Sequence, residues 1–249
     1  MKKSPKKKLV LFDIDGTLVD SSAKSVGHWK ERITAVFERV YETPVTFEID
    51  VHEYNGKVDK QVFLLIAEKL GITKETFNMR FDKAKEVYHG ELKRVLLEEE
   101  TVYVAFPDAK SFVESLKDAP DIAMGVITGN IERNAWAKLK KAGIDGLFNF
   151  GAFADEVESR EALVTHALEK ANSHFGVPFA REDVVIIGDT VHDIRAAKFG
   201  GVRSIGVSTG TSTTHEGLLA EGADLVVSSL MDKRVFDLLG LTAPTAVSG

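Results

Sequence analysis

The stretch LVLFDIDGTLVD, residues 9–20, sets an apolar run directly against two aspartates, Asp13 and Asp15, one residue apart. Residues 9–12 are apolar at every position, as a strand buried on both faces requires. Aspartate is depleted in strands and almost never buried unpaired, so these carboxylates either hold a cation or end the strand at a wet surface.

Three further apolar runs, at 122–127, 184–187 and 202–207, carry the same strand signature. Helical patterns lie between them. Ile131, Ala135, Leu139 and Ala142 recur near helical period before Gly143, a natural stop. Residues 161–175 precede the third run, and 194–199 lead into Gly200 and Gly201. Strands alternating with helices predict an α/β fold, a doubly wound, Rossmann-like parallel sheet with right-handed crossovers. Residues 21–100 break this rhythm with helical, charge-rich segments at 25–40, 59–70 and 75–97, punctuated by Gly56 and Gly71. They are expected to form an α-helical domain inserted after the first strand, leaving 1–20 and 101–249 as a discontinuous core. The tail after Leu241, rich in Thr, Ala, Pro, Ser and Gly, is expected to be disordered.

With 44% hydrophobic and 28% charged residues over 249 positions, the composition is that of a globular protein with a sizeable core. A net charge of -6 argues against general affinity for nucleic acid or an anionic membrane, which basic faces bind. Lys2, Lys3, Lys6, Lys7 and Lys8 are expected to form a solvated tail, because the apolar run behind them is too short for a signal-peptide core. No stretch reaches the roughly 18 apolar residues needed to span a bilayer. The absence of cysteine excludes disulfides and thiolate chemistry and fits a cytoplasmic protein, expected as a monomer or homodimer.

Three of the predicted strands end alike: the first gives Asp13, the second Thr128-Gly129-Asn130, the third Gly188-Asp189. Ligands of an open parallel sheet bind outside the carboxyl ends of its strands, so Asp13, Asp15, Thr128 and Asp189 are expected to meet in one crevice. Asp13 and Asp15, two apart in extended chain, would point to the same side. Clustered carboxylates repel, and the simplest remedy is a hard divalent cation such as Mg²⁺, which takes carboxylate oxygens, waters and a substrate phosphate. Thr128 and the flexible Gly129 offer a hydroxyl and backbone N–H groups to an anion. A carboxylate can also serve as nucleophile and form an aspartyl-phosphate.

DIDGTLVD, VITGN and GDTVHDIRAA, in this order and spread over nearly the whole chain, resemble the first, second and fourth signature motifs of the haloacid dehalogenase-like hydrolase superfamily. The resemblance implies Asp13 as nucleophile and Asp15 as the acid that protonates the leaving group and then activates water. It implies Mg²⁺ held by Asp13, the backbone carbonyl of Asp15 and Asp189, with Asp193 in the same loop. A second aspartate two residues after the first fits phosphatases and phosphomutases rather than dehalogenating members. The third motif is usually a lysine. Here Arg160 is the candidate, its charge retained and its planar fork changing the geometry. A surface ion pair with Glu156 or Glu161 is the competing reading of Arg160.

The insertion resembles the small helical cap of the phosphoglycolate phosphatase-like branch, in which a stretch like NGKVD, residues 55–59, faces the active site. Lys57 would then touch the leaving group, and Asp59 would cap the following helix or orient a polar group. Gly16, Thr17, Gly129 and Asn130 complete the expected substrate contacts. His192 is read as a loop residue rather than a metal ligand, and Trp29 and Trp136 as packing residues rather than substrate platforms. The expected function is a Mg²⁺-dependent phosphatase of a small phosphorylated metabolite, 2-phosphoglycolate being one option. A sugar-phosphate mutase and a non-catalytic phosphate-binding regulatory protein are the alternatives.

Overall fold

The computed structural model of the chain describes residues 8–20, 23–54, 56–99, 102–117, 119–210 and 213–244. The lysines at 2, 3, 6 and 7, Asn55 of the NGKVD stretch, and the last residues of the tail lie outside these segments.

Six strands, β1 (Lys8–Phe12), β2 (Ile122–Ile127), β3 (Gly151–Ala152), β4 (Val184–Gly188), β5 (Arg203–Val207) and β6 (Leu225–Val227), form one sheet in the order β3-β2-β1-β4-β5-β6. Every pairing is parallel, with Leu9 beside both Ala123 and Val184. The helices are α1 (Ala23–Val40), α2 (Val51–Tyr54), α3 (Asp59–Lys69), α4 (Lys74–Glu98), α5 (Pro107–Lys117), α6 (Glu132–Lys141), α7 (Arg160–Phe175), α8 (Val191–Gly200), α9 (His215–Glu221) and α10 (Lys233–Leu239).

Alternate side chains of the strands feed two separate cores, which is why the strands read as apolar on both faces. Val10, Phe12, Val185 and Ile187 pack with Phe112 of α5, Leu139 of α6 and Phe236 of α10. Leu9, Leu11, Val184 and Ile186 pack with Leu163 and Val164 of α7 and Ala197 of α8. The chain runs outward from β1 to β2 and β3, then returns to the other side of β1 for β4. The reversal leaves a crevice at the carboxyl ends of β1 and β4, the place where such sheets take ligands.

Helices α1, α3 and α4 surround an apolar cluster of their own, built on Phe37, Phe63, Phe77 and Tyr88. The Phe63 and Tyr88 rings meet edge to face at 4.9 Å. Two hydrogen bonds at Asp59 tie this block to the loop after β2: the Asp59 N–H donates to the Gly129 carbonyl at 2.7 Å, and the Ile131 N–H donates to the Asp59 side-chain Oδ2 at 3.0 Å.

Phe12, the last residue of β1, lies fully buried between the rings of Phe112 and Phe148, 6.1 and 5.9 Å away. Phe12→Ala is expected to lower unfolding stability in denaturant titration by about 3–5 kcal/mol.

Candidate active site

The backbone N–H of Asp13 donates to the Ile187 carbonyl at 2.9 Å, so the β1–β4 ladder fixes the chain up to its first aspartate. Beyond it, Asp13 Oδ2 lies 3.6 Å from Arg160 Nη2, and the same nitrogen is bonded to Asp193 Oδ1. Oxygens of Asp13, Asp189 and Asp193 all fall within 4.8 Å of one another, and all three residues are buried. Arg160 opens α7, which Ser159 caps by accepting the Ala162 N–H. Asp193 sits in the first turn of α8, where its Oδ2 accepts the Thr190 N–H at 3.1 Å and hydroxyl at 2.6 Å in a capping box. The Thr17 hydroxyl donates to Asp189 Oδ1 at 3.2 Å.

Two glycines let the carboxylates approach. A Cβ on Gly16, where φ is +83°, would stand 2.3 Å from an Asp189 oxygen, and a Cβ on Gly188 would stand 2.2 Å from the Asp193 carboxyl carbon.

Burial first, and then the charge of Asp193, push the Asp13 pKa up to about 7 against the opposing pull of Arg160. Burial and the charges of Asp193 and Asp13 hold Asp189 well above the ordinary carboxylate range. One guanidinium therefore does not neutralise the cluster. An all-oxygen, buried donor set of this kind fits a hard divalent cation.

Asp15 has a different environment. Extended-chain alternation does not govern it, because β1 ends at Phe12 and residues 14–17 turn, with the Leu18 N–H donating to the Ile14 carbonyl at 2.9 Å. Its carboxylate meets Lys138, whose ammonium donates to Oδ1 at 2.8 Å and Oδ2 at 2.7 Å. Asn130 Nδ2 donates to Asp15 Oδ2 at 2.7 Å and to Thr128 Oγ1 at 2.8 Å, while Asn130 Oδ1 accepts from Lys138 at 2.7 Å. Burial raises the Asp15 pKa, but the charge and hydrogen bonds of Lys138, with that of Asn130, outweigh it and leave the carboxyl below its usual value. Lys138 Nζ also lies 4.8 Å from the centroid of the Tyr103 ring. Tyr103 is held at φ +53°, a left-handed conformation costly for a non-glycine residue, where the chain returns from the helical block.

Asp13, Asp15, Thr128, Arg160 and Asp189 share a cavity of about 220 Å³ with Lys57, Asp59, Gly129 and Asn130. Gly16, Thr17 and Asp193 do not line it. Gly16 and Thr17 lie behind Asp189 and support it, and both Asp193 oxygens are taken by Arg160 and Thr190. Asp59 does not cap its own helix: the cap residue of α3 is Val58, with no side-chain bond, and the Asp59 carboxylate instead receives Ile131. Glu156 bonds Lys170 at 2.5 Å, leaving Arg160 to the buried aspartates. Trp29 is part of the cavity wall rather than packing alone, whereas Trp136 packs 5.9 Å from Phe153.

Sequence reasoning passed over Lys138 and Arg32, both of which line the cavity. The signal for Lys138 was its place three residues after Ala135 and seven after Ile131, on the buried stripe of α6. Arg32 lies likewise four residues before Val36 and three after Trp29 on α1.

A parallel, doubly wound sheet with a buried acidic cluster at its switch point places the chain in the Rossmann-like α/β class. The chain belongs to the haloacid dehalogenase-like hydrolases, whose family model matches residues 7–201. It is 25% identical over 238 residues to pyrophosphatase PpaX of Anoxybacillus flavithermus, covering 94% of this chain and 97% of the relative. It is 28% identical over 217 residues to phosphoglycolate phosphatase of Colwellia psychrerythraea, covering 84% and 87%. The crystal structure of a hydrolase from Pseudomonas syringae matches with a TM-score of 0.65 at 22% identity, covering 92% and 97%, and shares the fold.

Two titrations separate these environments. Burial raises Asp59 from 3.8 to about 6, against the charges of Lys138 and Arg32 and the Ile131 bond. The folded state thus holds a proton that the unfolded state releases, and stability from this source is present below about pH 4 and lost as pH rises through about 6. In urea titrations the stability of Asp59→Asn relative to wild type should rise by about 2–3 kcal/mol between about pH 4 and pH 8. Asp15 has the opposite sign. Lys138→Met should cost about 1–3 kcal/mol at neutral pH, and the gap should narrow as acid protonates Asp15 in the wild type.

Proposed function

We propose that the protein is a Mg²⁺-dependent phosphatase that hydrolyses small phosphorylated metabolites through an aspartyl-phosphate at Asp13. The observation that carries this reading is the convergence of Asp13, Arg160 and Asp189 at a cavity that also holds Asp15, with Asp193 bonded to Arg160 behind them. The relatives named pyrophosphatase and phosphoglycolate phosphatase support phosphate chemistry. Residues 1–20 and 101–249 are the catalytic core in this reading, and 21–100 the cap. No described helix is long and apolar enough to cross a membrane, and the chain has no cysteine, which supports a cytoplasmic setting.

Asp13, Asp189 and the backbone carbonyl of Asp15 would hold Mg²⁺, with Asp193 beside them steering Arg160. When bound, the cation neutralises the carboxylates and polarises a phosphoryl oxygen. Asp13 attacks phosphorus with one carboxylate oxygen, and the bond from phosphorus to the leaving oxygen breaks. Asp15 delivers the proton that the leaving oxygen takes. Because Lys138 holds Asp15 as a carboxylate, the two act as one unit: the ammonium, 2.7–2.8 Å from Asp15, supplies the proton that Asp15 passes on. In the second half Asp15 takes a proton from water and returns it to Lys138. The water oxygen attacks phosphorus, the Asp13–phosphorus bond breaks, and inorganic phosphate departs.

Arg160 neutralises charge on Asp13 and on the phosphoryl group. The Thr128 hydroxyl accepts from Asn130 and keeps its own hydrogen for a phosphoryl oxygen. A cavity of about 220 Å³ admits a small ester, below the roughly 300–1,000 Å³ of drug-sized pockets. The helical block contributes Trp29, Tyr54 and Val62 to the cavity wall.

Incubated with Mg²⁺ and a panel of phosphate monoesters, the purified protein should release inorganic phosphate. EDTA should abolish release and added Mg²⁺ restore it. Asp13→Asn should lower kcat by about a thousandfold or more. Absence of release across the panel, or an Asp13→Asn variant with wild-type turnover, contradicts the reading. Isomerised sugar phosphate without net release identifies a mutase.

A further inference from the structure

Arg32 is a buried cation that its neighbours satisfy only in part. It projects from α1 into the wall of the cavity with 2% of its surface exposed. Its Nε donates to the His28 carbonyl at 3.3 Å, and its guanidinium carbon stands 4.6 Å from the centroid of the Tyr88 ring. Nη1 is buried with no hydrogen-bond partner, and the guanidinium forms no ion pair among the described residues. The other buried cations of the cavity are matched: Lys138 by Asp15, Arg160 by Asp13 and Asp193. Asp59 acts on Arg32 electrostatically, but its Oδ2 accepts the Ile131 N–H and it does not pair with the guanidinium.

A buried charge with a vacant donor is costly unless something completes it. Arginine's planar fork is matched to the oxygens of a carboxylate or a phosphoryl group, and its bonds to such groups are among the strong ones. Position narrows the role. Arg32 lines the same cavity as Asp15, the residue beside the leaving oxygen in the reaction above, and belongs to the helical block rather than to the strand ends that carry Asp13 and Asp189. In that reaction, this side of the cavity receives the part of the substrate that departs.

We propose that Arg32 grips a second anionic group on the leaving portion of the substrate, so that the enzyme selects phosphate compounds whose leaving group itself carries a carboxylate or a phosphoryl group. The proposal rests on the phosphatase reading and deepens it. The shared chemistry is an oxyanion held by the fork of Arg32.

The test has a turnover arm and a binding arm, each read in wild type, Arg32→Gln and Arg32→Lys with Mg²⁺ present. In turnover, 2-phosphoglycolate and pyrophosphate are compared with ethyl phosphate. Wild type should favour at least one of the first two in kcat/KM by about 10- to 100-fold, the value of a charged hydrogen bond. Arg32→Gln should reduce that ratio to within about threefold, and Arg32→Lys should recover part of it. In binding, calorimetry compares 3-phosphonopropionate and methylenediphosphonate with propylphosphonate, and the same ratios should hold in Kd. The preferred member of each doubly charged pair tells carboxylate from phosphoryl.

A ratio near one in wild type, or a ratio that survives in a folded Arg32→Gln protein, overturns the proposal. If no ester turns over, the phosphatase reading fails, and the phosphonate ratios still decide whether Arg32 receives an anion. If thermal melting shows Arg32→Gln unfolded, the Arg32→Lys ratios decide: values equal to wild type overturn the role of the fork.

Discussion

Three carboxylates held within 4.8 Å at the end of a buried sheet repel one another, and much of the surrounding structure exists to tolerate that repulsion. Arg160 offsets part of it from the first turn of α7, and the capping box of α8 fixes Asp193 where Arg160 can reach it. Gly16 and Gly188 are required because any side chain there would displace Asp189 or Asp193. What the protein leaves uncompensated appears in Asp13, whose pKa of about 7 marks a carboxylate that a further cation would return to its ionised form. Stability and the proposed catalysis meet at this point, since the cluster is costly to fold and chemically competent for the same reason.

The two aspartates of the opening stretch show how environment separates roles that sequence alone makes look alike. Asp13 is pushed up by burial and like charge, while Asp15 is pulled down by Lys138 and Asn130. Pairs of carboxylates with diverging pKa values are a recurrent mark of acid, base and nucleophile assignments. The strained Tyr103 backbone, with its ring beside Lys138, ties the return of the helical block to the Asp15–Lys138 ion pair.

The long elements of the fold were legible because their patterns are long. The run at 122–127 coincides with β2, and the charge-rich helices at 25–40, 59–70 and 75–97 lie within about two residues of α1, α3 and α4. Strands β3 and β6 went unread, since two residues of Gly-Ala and three of Leu-Val-Val carry no period. The strand-end carboxylates were legible from chemistry and order. Lys138 and Arg32 were not, because a basic residue on an amphipathic helix reads as solvated until the opposing surface is known. The placement of Gly16 and Thr17 behind Asp189, outside the cavity, depends on a turn after Phe12 that local sequence does not specify.

The proposed chemistry turns on a covalent bond between phosphorus and Asp13. Acid quenching during turnover, followed by reduction of the acyl-phosphate and mass spectrometry of the peptide carrying residues 9–20, tests this directly. The account predicts that the modification maps to Asp13, that it forms only with Mg²⁺ and substrate, and that it decays as phosphate appears. Steady phosphate release with Asp13 unmodified throughout, while a control acyl-phosphate survives the same quench, would contradict it.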